Sequence, residues 1–149
     1  MRRLAFTMLL LALASAYGAA SDETVDELKS RFESARPEDR PELGMRIAQQ
    51  QLRDADKLYR EGNVDRARAG VEDIVSYSEK ARDAAIQTRK RLKNVEIDVR
   101  KLAEKLRDIK HTLAFEDQAP VEQAIRRLED IRTILLKEMF AKDTKKEKK

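Results

Sequence analysis

The 149-residue chain carries 32 basic and 28 acidic residues, with charged side chains at 40% of positions and aromatic ones at only 5%. It has no cysteine, which excludes disulfides, thiolate nucleophiles and thiolate metal sites. Setting aside Arg2, Arg3 and residues 142–149 leaves 25 basic and 26 acidic residues, so the body lacks the general basic footprint of a nucleic-acid binder.

The first twenty residues read as a signal peptide. Arg2 and Arg3 form a positive n-region, and Leu4 to Ala14 is apolar apart from Thr7, too short to span a bilayer. Small residues then cluster, and a cut after Ala20 precedes the abrupt polar change at Ser21-Asp22-Glu23. No cysteine follows the apolar core for lipid attachment, and neither Asn63 nor Asn94 lies in a glycosylation sequon. The expected location is periplasmic or secreted, from a bacterial source.

The first helix is expected from about Asp22 to Ala35, with Ser21 as N-cap and Val25, Leu28 and Phe32 on its apolar face. Pro37 interrupts the pattern. The second helix begins near Asp39, where Asp39-Arg40-Pro41-Glu42 has the form of a capping box with proline in the first turn. Met45, Ala48, Leu52, Ala55 and Tyr59 give its apolar spacing. Glu61-Gly62-Asn63 should end it, with Gly62 in the left-handed C′ position and Asn63 capping the next helix.

Leu58-Tyr59-Arg60-Glu61-Gly62-Asn63-Val64-Asp65-Arg66-Ala67 resembles the turn of a tetratricopeptide repeat. The resemblance covers residues 51 to 74 and occurs once; Gln51 and Asp54 depart from the family's apolar positions. It implies an antiparallel helix pair here and no repeat stack.

From Val71 to Ala119 there is neither glycine nor proline. Val71, Ile74, Ser78, Ala81, Ala85, Thr88, Leu92, Val95, Val99, Leu102, Leu106, Ile109 and Leu113 alternate at 3-4 spacing, a coiled-coil-like seam. The expectation is a long central helix from about residue 64 to 115, about 75 Å in length if continuous, with a bend near Thr88 left open. Antiparallel helices should pack on each half of it. Asp117 is a candidate N-cap for a last helix from Val121 to Ala141. The fold class is therefore an all-α helical bundle, with one domain over residues 21–141 and a disordered lysine-rich tail over 142–149. The front half of the seam is small and should be the adaptable part, while the rear half is large and should hold the core.

Few residues offer chemistry. His111 is the sole histidine and falls on the outer face. Adjacent acids such as Asp22-Glu23, Glu72-Asp73 and Glu116-Asp117 sit at helix starts or on solvated faces. No glycine-rich phosphate loop or nucleophile elbow occurs. Neither catalytic residues nor a metal, cofactor or small-molecule substrate is expected. Charge is uneven, however: residues 80–110 hold 11 basic and 5 acidic residues, whereas 21–79 hold 10 and 15. Two readings of the positive stretch stand. It is a solvated face balanced by pairs such as Glu96–Arg100, or a contact for an anionic partner through Arg89, Lys90, Arg91, Lys93, Arg100 and Arg107. With no aromatic interleaved for base stacking, nucleic acid is disfavoured. The expected function is non-enzymatic binding or scaffolding in the cell envelope, through a protein partner or self-association. The alternative is peripheral binding to anionic surfaces, such as lipid headgroups, through 80–110 and the tail.

Overall fold

The computed structural model describes residues 23–141, so the expected signal segment, Ser21 and the lysine-rich tail lie outside the described residues. Five helices follow in order: α1 (Val25–Ser34), α2 (Arg40–Arg60), α3 (Val64–Thr88), α4 (Leu92–Thr112) and α5 (Phe115–Phe140). The chain is an all-α helical bundle, and no strand occurs among the described residues.

The caps explain where the elements begin and end. Thr24 caps α1 in a capping box: its Oγ1 accepts from the Glu27 N–H, and the Glu27 carboxylate accepts from the Thr24 N–H. At α2, Asp39 occupies the N-cap but makes no side-chain capping bond; its carboxylate accepts from Arg36 instead. Gly62 ends α2 with φ at 78°. The Asn63 N–H donates to the Leu58 carbonyl and the Gly62 N–H to the Tyr59 carbonyl, the paired bonds of a Schellman motif. Asn63 is the N-cap of α3 as expected, though its side chain makes no capping bond. The last helix begins earlier than expected, at Phe115, and carries Pro120 within its second turn. Asp117 is therefore inside α5 and pairs with Arg68 of α3.

The expected long helix is not continuous. It stops at Thr88 and resumes at Leu92, and Arg89 and Arg91 both adopt the left-handed conformation with φ near 60°. Thr88 assists the break, since its Oγ1 donates back to the Ala84 carbonyl and accepts from the Lys90 N–H. The chain then reverses. Arg91 meets Glu42 at the start of α2, while Leu52 of α2 and Ile109 of α4 line one groove further along, so α2 and α4 run parallel. Arg68–Asp117 and Arg89–Glu138 likewise set α3 parallel to α5. Arg132–Glu96 and Arg107–Glu129 join α4 to α5 as an antiparallel pair. The molecule is two helical hairpins, α2–α3 and α4–α5, laid side by side, with α1 against α2 and α3.

Magnitudes explain the reversal. Two left-handed non-glycine residues cost about 2–4 kcal/mol together. A straight rod would leave the α3–α5 and α2–α4 faces apart. Folding back encloses Val71 and Val75 of α3 with Val121 and Ala124 of α5, all 4% exposed or less. At about 1.5–3 kcal/mol per large apolar side chain, burying two or three of these offsets the turn.

One continuous core results, from Leu28 and Phe32 of α1 to Leu135 of α5. The seam residues face it: Val71, Ile74, Ser78, Ala81 and Ala85 in the front half, and Val95, Val99, Leu102, Leu106 and Ile109 in the rear. The small front half does not leave a loose interface. Gly44 brings α2 so close to α3 that a Cβ there would lie 3.0 Å from the Ala81 Cβ and 3.0 Å from the Tyr77 carbonyl oxygen. Phe32 of α1 closes this region in an edge-to-face contact with Tyr77, flanked by Lys80 and Arg40.

Candidate functional site

The structure separates the six basic candidates into three groups. Arg89 donates to Glu138 at 2.7 Å, Arg91 approaches Glu42 at 3.0 Å, and Arg107 donates to Glu129 at 2.6 Å. These three hold helices together. Arg100 pairs with Glu104 on its own helix. Lys90 and Lys93 have no ion-pair partner among the described residues, and both are exposed. Only Arg89, Lys90, Arg91 and Lys93 share one end of the bundle. Arg107 lies sixteen residues beyond Arg91, about 24 Å along the helix, and belongs to a different surface.

The expected Glu96–Arg100 pair is also reassigned. Glu96 is nearly buried and accepts from Arg132 Nε at 2.7 Å across the α4–α5 interface. Arg132 also reaches Glu129 at 3.8 Å, and Glu129 in turn accepts from Arg107. This Glu96–Arg132–Glu129–Arg107 chain fixes the register of the hairpin, and the hydrogen bond to Glu96 raises the affinity of Arg132 for its proton. Its members are 36 and 22 residues apart across the two bonds, so helical spacing within α4 gave no sign of them.

His111 is exposed near the C-terminus of α4, where a cation suits the helix dipole. No group of three His, Asp or Glu side chains able to hold a metal occurs among the described residues. Glu72-Asp73 is divided by its surroundings: Glu72 is exposed, whereas Asp73 accepts from both Lys29 and Gln51 at 2.7 Å and ties α1, α2 and α3 together.

Three of the recesses in the surface stand out by their lining. A polar cleft of about 680 Å³ lies between the N-terminal end of α1 and α2, lined by Glu23, Asp26, Arg46, Gln50, Arg53 and Asp54. There the hydrogen bond from Arg31 holds Glu23 below the ordinary carboxylate range, and Arg46 adds to the effect. The other two lie along the α2–α4 flank. The upper one, about 210 Å³, contains Asp98 facing Glu42, Arg46 and Arg91. Burial pushes the Asp98 carboxyl up, against the opposing pull of Lys101. The lower one, about 490 Å³, has Leu52 and Ile109 as its floor and Arg53, Lys105 and Asp108 on its rim. Asp98 carries no signal in the sequence, because Glu42 and Arg46, which line its recess from α2, are more than forty positions away.

At the opposite end of the bundle from Arg89, Tyr59 Oη and Arg68 Nε are enclosed without a hydrogen-bond partner. Burial raises the Tyr59 phenol, so it remains a neutral donor beside the Arg68–Asp117 pair. No helix among the described residues is long and apolar enough to cross a membrane. No protein-family model, curated protein or solved structure matches the chain.

Proposed function

We propose that the chain is an exported, non-enzymatic binding or scaffolding protein of the cell envelope. The observation that supports a binding role is the α2–α4 flank. Its lower recess has an apolar floor at Leu52 and Ile109 and a rim of both charge signs at Arg53, Lys105 and Asp108. That arrangement suits the apolar face of an amphipathic helix from a protein partner, with the rim setting its register. The export half of the reading is supported by Arg2, Arg3 and the short apolar run to Ala14.

Expression of the full chain with a photoreactive residue at Arg53 or Lys105 tests both halves. The expected result is a product outside the cytoplasm that begins at Ser21 and cross-links to an envelope protein from both positions. A chain retained in the cytoplasm with its first residues intact overturns export. A strict monomer by light scattering, with no cross-link from either position, overturns the binding role.

A further inference from the structure

The end of the bundle that carries the α3–α4 turn combines two features. The turn projects Arg89, Lys90 and Arg91 in succession, with Lys93 the second residue of α4. Glu138 and Glu42, the nearby acids, are neutralised by Arg89 and Arg91, so Lys90 and Lys93 carry unopposed charge there. The same end receives the last two turns of α5, placed by the Arg89–Glu138 contact. These turns expose Ile134 at 39% and Phe140 at 64%, two of the three large apolar side chains that stand out to solvent among the described residues. Lys137, also exposed, lies between them on the helix. The sequence then continues from Ala141 with five lysines and two acids over residues 142–149. Acidic residues of the α1–α2 connection, Glu38 and Asp39, lie on the α1–α2 side of this end, and Arg36 pairs with Asp39. The turn reaches α5 through Arg89–Glu138 and the start of α2 through Arg91–Glu42.

Neither feature alone makes a membrane contact. Charge without apolar insertion gives attraction that salt removes, and a lone aromatic inserts too little area; stable peripheral attachment combines the two. We propose that this end of the molecule docks on a bilayer surface of anionic phospholipid. Lys90, Lys93 and Lys137 meet the headgroups, and Phe140 enters the boundary between headgroup and acyl chain. The proposal deepens the binding role above by naming a second partner, and it does not use the α2–α4 flank. Arg100 and Arg107 are not part of this surface.

The test is vesicle co-sedimentation of a chain starting at Ser21, which retains every described residue of the bundle. Vesicles of phosphatidylglycerol and phosphatidylcholine are compared with phosphatidylcholine alone at 50 and 500 mM salt, values set on the order of Debye lengths above and below the range of a surface contact. Expected is binding to the anionic vesicles only, at least tenfold weaker at the higher salt. Each lysine near the surface contributes about fivefold, so K90Q/K93Q should weaken binding by more than tenfold. Phe140→Ser should weaken it severalfold without altering helicity by circular dichroism. Arg66→Gln, at the far end of α3, should leave it unchanged. Soluble polyphosphate supplies charge without an apolar boundary, so Phe140→Ser should leave polyphosphate binding unaltered. Equal binding to phosphatidylcholine, no binding to anionic vesicles, or vesicle binding insensitive to Phe140→Ser and K90Q/K93Q overturns the proposal. Loss of vesicle binding with cross-links from Arg53 and Lys105 intact removes this inference alone; the reverse result removes the helix-binding flank alone.

Discussion

Gly44 and Gly70 both lie inside helices, where glycine costs about 1 kcal/mol relative to alanine, yet the structure gives them opposite roles. A Cβ on Gly70 would meet the Ala55 Cβ at 3.5 Å, an ordinary contact. Gly70→Ala should therefore raise stability by up to about 1 kcal/mol, read as an increased denaturation midpoint with an unchanged slope. A Cβ on Gly44 would press on the Tyr77 backbone and the Ala81 Cβ at 3.0 Å. Overpacking of that kind costs about 1–3 kcal/mol against about 1 kcal/mol gained by the helix, so Gly44→Ala should destabilise by up to about 2 kcal/mol. Asp98 makes a pH-dependent case. Its folded-state proton affinity is raised by burial against α2, so the ionised form is disfavoured in the fold at neutral pH, and the cost disappears once the carboxyl is protonated in both states. Asp98→Asn should stabilise the protein at pH 7, and the gain should vanish on acidification through the carboxylate range. Parallel denaturant titrations at pH 7 and pH 3, pH values placed on the order of three units above and one below a model carboxylate, measure the difference.

Among the elements, the two tight turns contrast sharply. The α2–α3 turn was legible because Gly62 is the residue type that its φ of 78° calls for, and the Schellman bonds follow from it. The α3–α4 turn was not, because arginine at φ 58° and 61° is a strained choice that no turn signal marks. The seam added to the misreading. Thr88 and Leu92 are four apart, so the 3-4 alternation passes through the turn in phase. A heptad pattern identifies the buried face of each half and carries no information on whether the halves are collinear. The early start of α5 was hidden by Pro120, a residue type that suggests a helix boundary; it stands sixth in α5, where it forgoes the backbone bond to the Glu116 carbonyl and the helix continues through it. A glycine scan at the turn discriminates the two geometries by sign. In a continuous helix Arg91→Gly would cost about 1 kcal/mol. In the left-handed turn it relieves about 1–2 kcal/mol of strain and loses a half-exposed ion pair with Glu42 worth about 0–1 kcal/mol. The expected outcome is a neutral change or a gain of up to about 2 kcal/mol in chemical denaturation.

At the scale of the whole molecule, folding the seam in half changes what the charge pattern means. Read along the sequence, residues 80–110 are a positive block. In space, much of that block faces acids on other helices, as in Arg91–Glu42, Arg89–Glu138 and Arg107–Glu129, and of the six basic candidates only Lys90 and Lys93 are left without an ion-pair partner among the described residues. Residue types were thus sufficient to find the basic candidates, while their partners, 22 to 49 positions away, depended on a topology that helical spacing cannot encode. That topology has a direct measurable consequence. Arg66 near the start of α3 and His111 near the end of α4 are both exposed and accept spin labels without disturbing the core. In a straight rod the 45 residues between them would separate the labels by about 68 Å. In the folded-back bundle both lie at the end marked by the Arg68–Asp117 contact, on helices whose axes are about 8–10 Å apart between neighbours. Allowing for a diagonal crossing and for label length, pulsed dipolar spectroscopy should give a single distribution at about 20–30 Å. A population near 70 Å would mean that α3 and α4 are collinear, and it would separate the Lys90–Lys93 turn from the end of α5 on which the lipid-docking surface depends.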